Sequence, residues 1–385
     1  MTRIAVDYTA AVRQRAGIGR YTRELIRAVT RLDTQTEYVL LSGSGGMLRE
    51  QREALRAEPW PANVAWRHLP LTDQQMAILW QRMHLPLPVE WITGPVDLYH
   101  SPDFALAPVR RAKTVLTVHD LSFMRHPGCF SPALLAYLLR TVPESVRRAN
   151  LVLADSESTR VDLIELLRVP PERTAVVYPG VDGRFTPEKA PDEAQALARY
   201  GIEGPYVLGL GTLQPRKNLA RLITAYGHLV REQRVPHDLV IGGSRGWLYE
   251  EIDEAIEELE FPERVRLIGF VADEDLPALY RGADAFAFPS LYEGFGIPVL
   301  EAMACGTPVV TSNTSSLPEA AGDAALLIDP KDVEALTHAL WCLLSDESLR
   351  DILRAKGFEQ AVRFSWEGAA KALFELYSRT IREGG

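Results

Sequence analysis

The stretch LYEGFGIPVLEAMACGTPVV, residues 291–310, decides how the second half of this chain is expected to fold. It carries two glutamates, Glu293 and Glu301, separated by two glycines and Pro298. One helix across the stretch would lose about 1 kcal/mol at each glycine and about 3 kcal/mol at the proline. The pattern therefore predicts a strand (AFAFP), a loop, and a new helix that begins near Pro298 and ends at Gly306.

This division places the two carboxylates where α/β proteins bind ligands. Glu293 lies on a loop at the carboxyl end of a strand, which forms the ligand crevice of open α/β sheets. Glu301 lies in the first turns of the following helix, whose N-terminus favours an anion. The sequence therefore predicts a ligand site around both residues.

Length and composition indicate an ordinary globular protein of two domains. The 385 residues are 46% apolar and 24% charged. Cys129, Cys305 and Cys342 are far apart and have no C-x-x-C spacing, which fits a reducing cytosol. The N-terminus has no long apolar segment, and no run of about 18 apolar residues occurs. We therefore expect a cytoplasmic protein without a signal peptide or transmembrane helix.

Charge is distributed unevenly along the chain. Up to residue 185 there are 23 Lys and Arg against 19 Asp and Glu, and the remainder has 19 against 32. The acidic total of −9 argues against general nucleic-acid binding. The basic first half is compatible with an anionic partner and also with ordinary surface variation.

Apolar runs alternate with amphipathic segments along the whole chain. Six strand-like runs precede residue 185 (RIAVDY, EYVLL, DLYHS, TVLTVHD, LVLADS, TAVVYPG), and six follow it (YVLGLGT, DLVIGG, VRLIGF, AFAFP, PVVTS, ALLID). Such alternation predicts two doubly wound, Rossmann-like domains with parallel sheets. The polar stretch at 185–195 is the expected linker, so the domains are expected at 1–185 and 186–364.

Arg216 and Lys217 stand side by side in GTLQPRKNL, residues 211–219, after the first strand of the second half. Adjacent cations at a helix N-terminus repel each other and oppose the helix dipole. A bound anion would relieve both effects, and an Arg–Lys pair suits a diphosphate. A solvated basic turn is the alternative.

Three further motifs are weaker alone. Gly17 and Gly19 follow the first strand and could let backbone amides approach a phosphate, although a G-x-G is equally typical of a turn. His119 ends a buried strand in TVHDLSF, where it is either a ligand contact or a structural histidine. DEDL, residues 273–276, looks like a D-x-D metal site but more simply caps the next helix.

Taken together and in this order, these motifs resemble retaining glycosyltransferases of family 4, which have the GT-B fold. The resemblance covers the whole chain and includes the E-x7-E signature in EGFGIPVLEAMACGTPVV, together with GIGRYTREL, TVHDLSF, DSEST, VVYPGVDGRFTP and FSWEGAAKALFELY. It implies two domains facing across a cleft, with a last helix, 365–385, that crosses back to the first domain. TVHDLSFMRHPGCFSP further resembles bacterial mannosyltransferases of polysaccharide assembly.

The resemblance also implies roles for residues. Glu301 would bind the ribose of a nucleotide sugar, Glu293 the hexose, and Arg216 with Lys217 the diphosphate. His119 would lie near the sugar. The remaining implied donor contacts are the glycine loop of Gly17 and Gly19, Gly211 at the start of the cation loop, and the backbone of Gly294, Phe295, Gly296 and Ile297. Many members have two adjacent glycines where this chain has Ala16-Gly17, so phosphate contact there is expected to be looser.

The expected activity is therefore retaining transfer of a hexose, with mannose from GDP-mannose favoured, to a glycan, lipid-linked or small-molecule acceptor. No metal and no cofactor are expected, because the cation pair and helix N-terminus would stabilise the leaving diphosphate. The same fold also admits a sugar-nucleotide epimerase or a disaccharide synthase or phosphorylase. A bilobed solute-binding protein is the alternative of a different class.

One apolar stretch bears on the acceptor. MAILWQRMHLPLPVEW, residues 76–91, contains Trp80, Met83 and Trp91 beside Arg82 and His84. Large apolar residues beside a cation indicate either buried packing or an interfacial anchor. The second interpretation predicts peripheral contact with the inner membrane face, which would suit a lipid-linked acceptor.

Overall fold

The computed structural model describes residues 1–14, 17–45, 59–83, 85 and 87–383, which form two compact units. The strands are β1 (Arg3–Asp7), β2 (Glu37–Gly43), β3 (Val64–Leu69), β4 (Leu98–Ser101), β5 (Lys113–Val118), β6 (Leu151–Ala154), β7 (Thr174–Val176), β8 (Tyr206–Leu210), β9 (Asp238–Gly242), β10 (Val265–Gly269), β11 (Ala285–Phe288), β12 (Val309–Ser312) and β13 (Ala325–Ile328).

The α-helices in the same ranges are α1 (Thr9–Arg13), α2 (Ile18–Leu32), α3 (Asp73–Ala77), α4 (Glu90–Thr93), α5 (Ser122–Arg125), α6 (Pro132–Arg148), α7 (Glu157–Leu167), α8 (Glu193–Arg199), α9 (Leu219–Gln233), α10 (Glu250–Glu257), α11 (Leu276–Gly282), α12 (Ile297–Ala304), α13 (Leu317–Ala321), α14 (Val333–Ser345), α15 (Glu347–Val362) and α16 (Trp366–Arg382). A π-helix (Ile78–Arg82) follows α3, and short 3₁₀ turns include Pro127–Cys129 and Pro215–Lys217.

The first unit contains a seven-stranded parallel sheet in the order β3-β2-β1-β4-β5-β6-β7. It comprises Met1–Leu121, Ala136–Gly180 and Trp366–Gly385. Its central strands are buried on both faces beneath helices, and α2 and α16 pack together on one face. The expected return of the last helix to the first unit is thus confirmed.

A buried polar contact fixes that helix. Tyr377 of α16 is fully buried, and its hydroxyl lies 2.6 Å from His100 Nδ1 at β4. His100 Nε2 lies 2.9 Å from Thr117 Oγ1. Burial lowers the pKa of His100 to about 3, so this histidine is a neutral, structural group.

The second unit contains a six-stranded parallel sheet in the order β10-β9-β8-β11-β12-β13. It comprises Ser122–Leu135 and Val181–Ser365. One core cluster packs α9 and α14 against one face, and another packs α11, α12 and α13 against the other. The chain runs outward from β8 to β10 and then returns to β11, so the loops after β8 and β11 diverge at a topological switch point.

All twelve strands expected from the sequence are present. The additional strand, β3, lies at the edge of the first sheet, and its residues are half-buried or exposed. Its sequence, VAWRHL, includes Arg67 and His68 and so lacks the continuous apolar run by which the other strands are recognised.

Candidate active site

The switch point of the second sheet brings together the three charged residues that the sequence singled out. Arg216 and Lys217 end the turn after β8, and Glu293 lies on the loop after β11. Arg216 Nη1 is 2.7 Å from Glu293 Oε2, and Lys217 Nζ is 2.6 Å from Glu293 Oε1. One carboxylate therefore bridges both cations, although Lys217 precedes Glu293 by 76 residues in the sequence.

The cations lie on the loop that enters α9, as expected from the sequence. They belong to the 3₁₀ turn Pro215–Lys217, and Asn218 separates them from α9 with a left-handed φ of 59°. Asn218 Nδ2 donates to the carbonyl oxygens of Pro289 and Pro330, 2.9 and 2.7 Å away. This hydrogen bonding directs the turn toward the β11 loop, where Glu293 provides the anion that adjacent cations require.

Glu293 is ionised at neutral pH. The residue is only 8% exposed. Burial raises the pKa of its carboxyl group, but the charges of Arg216 and Lys217 have the larger, opposite effect and lower the pKa to about 2. Three short contacts hold its loop: Ser315 Oγ accepts a hydrogen bond from Glu293 N–H at 3.0 Å, and Ser316 Oγ lies 2.8 Å from the carbonyl oxygens of both Glu293 and Phe295, which share its single proton. The carboxylate is therefore held in place together with the cations.

Gly211 makes room for Lys217. A Cβ at position 211 would lie 3.1 Å from Cδ and Cε of Lys217, and the backbone φ of 146° is unfavourable for other residues. The lysine stem thus passes over the backbone, and its Nζ lies 4.9 Å from the centre of the Phe288 ring. Gly211 acts in the structure by positioning Lys217; a direct donor contact stays a prediction.

The second glutamate lies inside the helix that was expected to begin near Pro298. Gly296, with φ 117°, is the N-cap of α12, and a Cβ there would lie 2.8 Å from Leu317 Cδ2. Glu301 is 2% exposed, and its Oε2 accepts a hydrogen bond from the Tyr280 hydroxyl at 2.9 Å. Sequence analysis missed Tyr280, because a tyrosine in an amphipathic helix has no feature that separates it from an ordinary core residue.

The remaining residues of the E-x7-E loop are packed. Phe295 is buried with its ring 5.2 Å from that of Phe364, and Ile297 packs partly buried against the same core. Their side chains therefore stabilise the loop. Donor contact by the backbone of residues 294–297 stays a prediction.

In the first unit, His119 is held through both ring nitrogens. Nδ1 lies 2.7 Å from Asp155 Oδ2, and Nε2 lies 2.8 Å from the carbonyl oxygen of Pro102. Burial lowers the pKa of His119, but the Asp155 carboxylate raises it to about 9, with smaller effects from Asp103 and the Pro102 carbonyl. Two acceptors fit an imidazolium that donates to both, so ligand contact through Nε2 would require the Pro102 bond to open.

Asp155 was quoted in the DSEST motif but not assigned a role. It directly follows β6, the strand next to the one that His119 follows, so the parallel register brings the two side chains to the same sheet edge. Spacing of 36 residues gives no local signal for this pair.

The two glycines of the first loop meet different structural requirements. Gly17 is the exposed N-cap of α2 with φ 58°, and no described atom lies within 4 Å of a Cβ built there. Gly19 is buried, and its Cβ would lie 2.1 Å from the Gln14 carbonyl oxygen. Gly19 therefore permits close packing of α1 on α2. A phosphate contact stays a prediction at both positions, and Ala16 lies outside the described residues.

The carboxylates of DEDL form a structural contact. Asp275 stands at the N-cap of α11, but its side chain makes no capping hydrogen bond; it pairs instead with Arg199 and with the Tyr200 hydroxyl, 2.8 Å away. The expected side-chain cap is thus wrong, because stronger partners are in reach. Within the described ranges, no group of three or more His, Cys, Asp or Glu is arranged to hold a metal ion.

The apolar stretch 76–91 divides into buried and exposed residues. Trp80 is 8% exposed, and its Nε1 donates to the Leu87 carbonyl at 3.1 Å, so it belongs to the core. Met83 and Trp91 are 57% and 68% exposed. The interpretation of Trp80 as a membrane anchor is therefore wrong, and its alternative, buried packing, is confirmed. His84 and the side chain of Arg82 lie outside the described residues. No helix in the described part of the chain has the length and apolar character needed to cross a bilayer.

Comparisons with known proteins agree with this architecture. Residues 188–360 match the family model for glycosyl transferases group 1, and residues 15–185 match glycosyltransferase family 4. The O-antigen chain mannosyltransferase B of Escherichia coli is 34% identical over 364 residues, covering 94% of this chain and 95% of that protein. The serotype-specific mannosyltransferase WbdA of E. coli is 31% identical over 282 residues, covering 70% of this chain but 34% of that longer protein.

A solved structure shows the same fold. HepE of Anabaena, crystallised with UDP-glucose, superposes with a TM-score of 0.75 at 21% identity, covering 98% of this chain and all of that one. This likeness and the two parallel-sheet units confirm the GT-B fold class. The sequence matches to glycosyltransferases exclude the alternative of a solute-binding protein. The chain belongs to the group 1, family 4 glycosyltransferases and is an enzyme of that class.

Proposed function

We propose that this chain transfers mannose from GDP-mannose to a glycan or lipid-linked acceptor, with retention of the anomeric configuration. The observation that carries the proposal is the buried cluster of Arg216, Lys217 and Glu293 at the switch point of the second sheet. The choice of mannose is supported by the 34% identity to an O-antigen mannosyltransferase over nearly the full length of both chains.

The charges of the cluster suit a leaving diphosphate. Two cations share one ionised carboxylate, so the cluster keeps a net positive charge toward a bound anion. As the bond to the sugar breaks, negative charge grows on the diphosphate, and Arg216 with Lys217 stabilises it. Typical electrostatic stabilisers of this kind contribute about 10²- to 10³-fold in kcat.

Glu293 serves the same reaction in two ways. Its carboxylate fixes the side-chain positions of both cations, so little reorganisation is needed when the donor binds. Because its pKa of about 2 keeps it ionised, it also favours the positive charge that develops on the hexose. This second role requires the sugar to lie beside Glu293, as the family resemblance implies.

Glu301 is proposed to bind the donor ribose. It lies in the second turn of α12, and Tyr280 fixes one carboxylate oxygen at 2.9 Å. A buried carboxylate oriented in this way is suited to accept hydrogen bonds from vicinal ribose hydroxyls.

The first unit is proposed to contact an anionic membrane through Trp91 and its surroundings. Trp91 lies on α4, next to Glu90, whose carboxylate accepts the backbone N–H groups of Arg110 and Arg111 at 2.8 and 2.9 Å. Both arginines are exposed, so an exposed indole and two cations share one surface. Such a surface suits the interface of an anionic bilayer, where a lipid-linked acceptor would reside.

The test is a transfer assay with GDP-mannose, UDP-glucose and ADP-glucose as separate donors and membrane lipid extract as acceptor source. Mannose should enter product from GDP-mannose only, in excess EDTA as well, and NMR of the product should show the α-anomer of the donor. A β-linked product would contradict retention, and preferential transfer from another donor would contradict the assignment of GDP-mannose.

A further inference from the structure

His126 lies against the loop that carries Glu293. It follows α5 in the segment Ser122–Leu135 of the second unit, and its ring centre is 5.8 Å from that of Tyr292. The carbonyl oxygen of Tyr292 accepts a hydrogen bond from Arg216 Nη1 at 2.6 Å. The His126 imidazole therefore contacts Tyr292, which in turn contacts Arg216 of the proposed diphosphate site.

Hydrogen bonds to residues before and after His126 in the sequence fix the position of its segment. The His126 N–H donates to the Ser122 carbonyl at 2.7 Å. Downstream, Trp247 Nε1 donates to the Cys129 carbonyl at 2.7 Å, and the Trp247 ring lies 6.3 Å from that of Phe130. The segment is thus held on the second unit, and His126 is held beside Tyr292.

Three cations act electrostatically on His126. Arg125 precedes it in the sequence, Arg216 belongs to the turn after β8, and Lys331 belongs to the loop after β13, which Asn218 holds through the Pro330 carbonyl. Burial lowers the pKa of His126, and Lys331, Arg216 and Arg125 lower it further.

Among the described residues, the acidic groups of the adjoining segments have other partners. Glu293 bridges Arg216 and Lys217, and the Asp329 carboxylate accepts the Lys331 N–H at 2.9 Å. Glu251 of α10 acts on Cys129, three residues from His126. His126 is accordingly neutral at neutral pH in the free protein.

We propose that His126 is a proton-linked contact for the donor diphosphate, taking up a proton when the diphosphate binds at Arg216. This inference rests on the proposed function. A bound diphosphate cancels the positive field that disfavours imidazolium and supplies an acceptor for its N–H. By linkage, donor binding then tightens as pH falls, and each tenfold rise in the proton affinity of the ring increases ligand affinity about tenfold at low pH.

The phosphate of the ligand releases a proton on binding, whereas His126 takes one up, so the total proton uptake does not report on His126 alone. A terminal phosphate has a second pKa of about 6 and loses its proton on binding to cations. Only the difference between wild type and a His126 variant isolates the ring. His126→Gln is the test variant, and His338→Gln, at an exposed histidine of α14, is the matched control.

The experiment is calorimetric titration of the full chain with GDP at pH 6.5 and pH 8, in buffers of low and high ionisation enthalpy. Wild type and His338→Gln should take up about half a proton more per GDP at pH 6.5 than His126→Gln. The affinity ratio of wild type to His126→Gln should fall from about fivefold at pH 6.5 toward about one at pH 8.

Equal proton uptake by wild type and His126→Gln, with GDP bound to both, overturns this inference and leaves the proposed function standing. Failure of wild type to bind GDP overturns both. NMR titration of the His126 ring in wild type gives a reading that does not depend on the variant's folding: its pKa should rise when GDP is added, and an unchanged pKa overturns the inference.

Discussion

Replacing Glu293 with glutamine tests whether the cations of the site depend on one buried carboxylate. The glutamate side chain is 10% exposed, and its carboxylate oxygens lie 2.7 Å from Arg216 Nη1 and 2.6 Å from Lys217 Nζ. Its pKa, raised by burial but lowered more by the two cations, falls from 4.5 to about 2. Since a tenfold change in proton affinity is about 1.4 kcal/mol, the ionised form contributes about 3 kcal/mol of stability at pH 7. This value is similar to the cost of removing one partner from a buried ion pair, which is about 3–5 kcal/mol.

The pH dependence has a defined sign. A carboxylate with a lowered folded-state pKa stabilises the fold above pH 4.5 and loses that effect as pH falls toward about 2. In urea unfolding followed by far-UV circular dichroism, Glu293→Gln should be less stable than wild type by about 3 kcal/mol at pH 7 and by about 1 kcal/mol at pH 3.

A matched control separates this effect from general loss of charge. Asp323 of the same unit forms an exposed pair with Lys356, 2.7 Å apart, so Asp323→Asn should unfold close to wild type at both pH values. The reasoning is refuted if Glu293→Gln is as stable as wild type at pH 7, or if the difference is the same at pH 7 and pH 3.

Three further predictions concern other parts of the account. Glu301→Gln should weaken nucleoside diphosphate binding by about 1.5–3 kcal/mol in calorimetry, because a charge-assisted bond to ribose is lost; unchanged affinity argues against the ribose contact. Asp155→Asn should move the NMR titration of the His119 ring from about pH 9 to below 6.5, and wild type should lose its stability advantage over this variant as pH rises from 6.5 to 9; a ring that still titrates near 9 contradicts the pairing. Trp91→Ala should reduce flotation with anionic vesicles at low salt, whereas Trp80→Ala should lower stability by about 3–5 kcal/mol; a wild type that never floats favours a soluble acceptor.

The sequence predicted the layered architecture because apolar runs and helical periodicity are local signals. The break at the E-x7-E stretch is an example: Gly296 and Pro298 mark the start of α12 by their backbone requirements alone. The strand β3 was not predicted, because an edge strand can expose polar residues and then lacks the apolar pattern of a buried strand.

The contacts within the site could not be predicted, because they join distant positions. Glu293 and Lys217 are 76 residues apart, and only the adjacency of β8 and β11 brings them together. The same holds for His119 and Asp155 at the ends of β5 and β6. The sequence led us to expect a bound diphosphate at the cation pair. The structure places the Glu293 carboxylate there, and binding of a diphosphate stays a prediction.

The most direct test of the account is calorimetric titration of GDP-mannose into wild type and Lys217→Ala. Wild type should bind GDP-mannose at one site per chain, and the variant should bind it at least about tenfold more weakly, because a charge-assisted contact to the diphosphate is worth about 1.5–3 kcal/mol. Equal affinity in the two folded proteins would contradict the assignment of this cluster as the donor site.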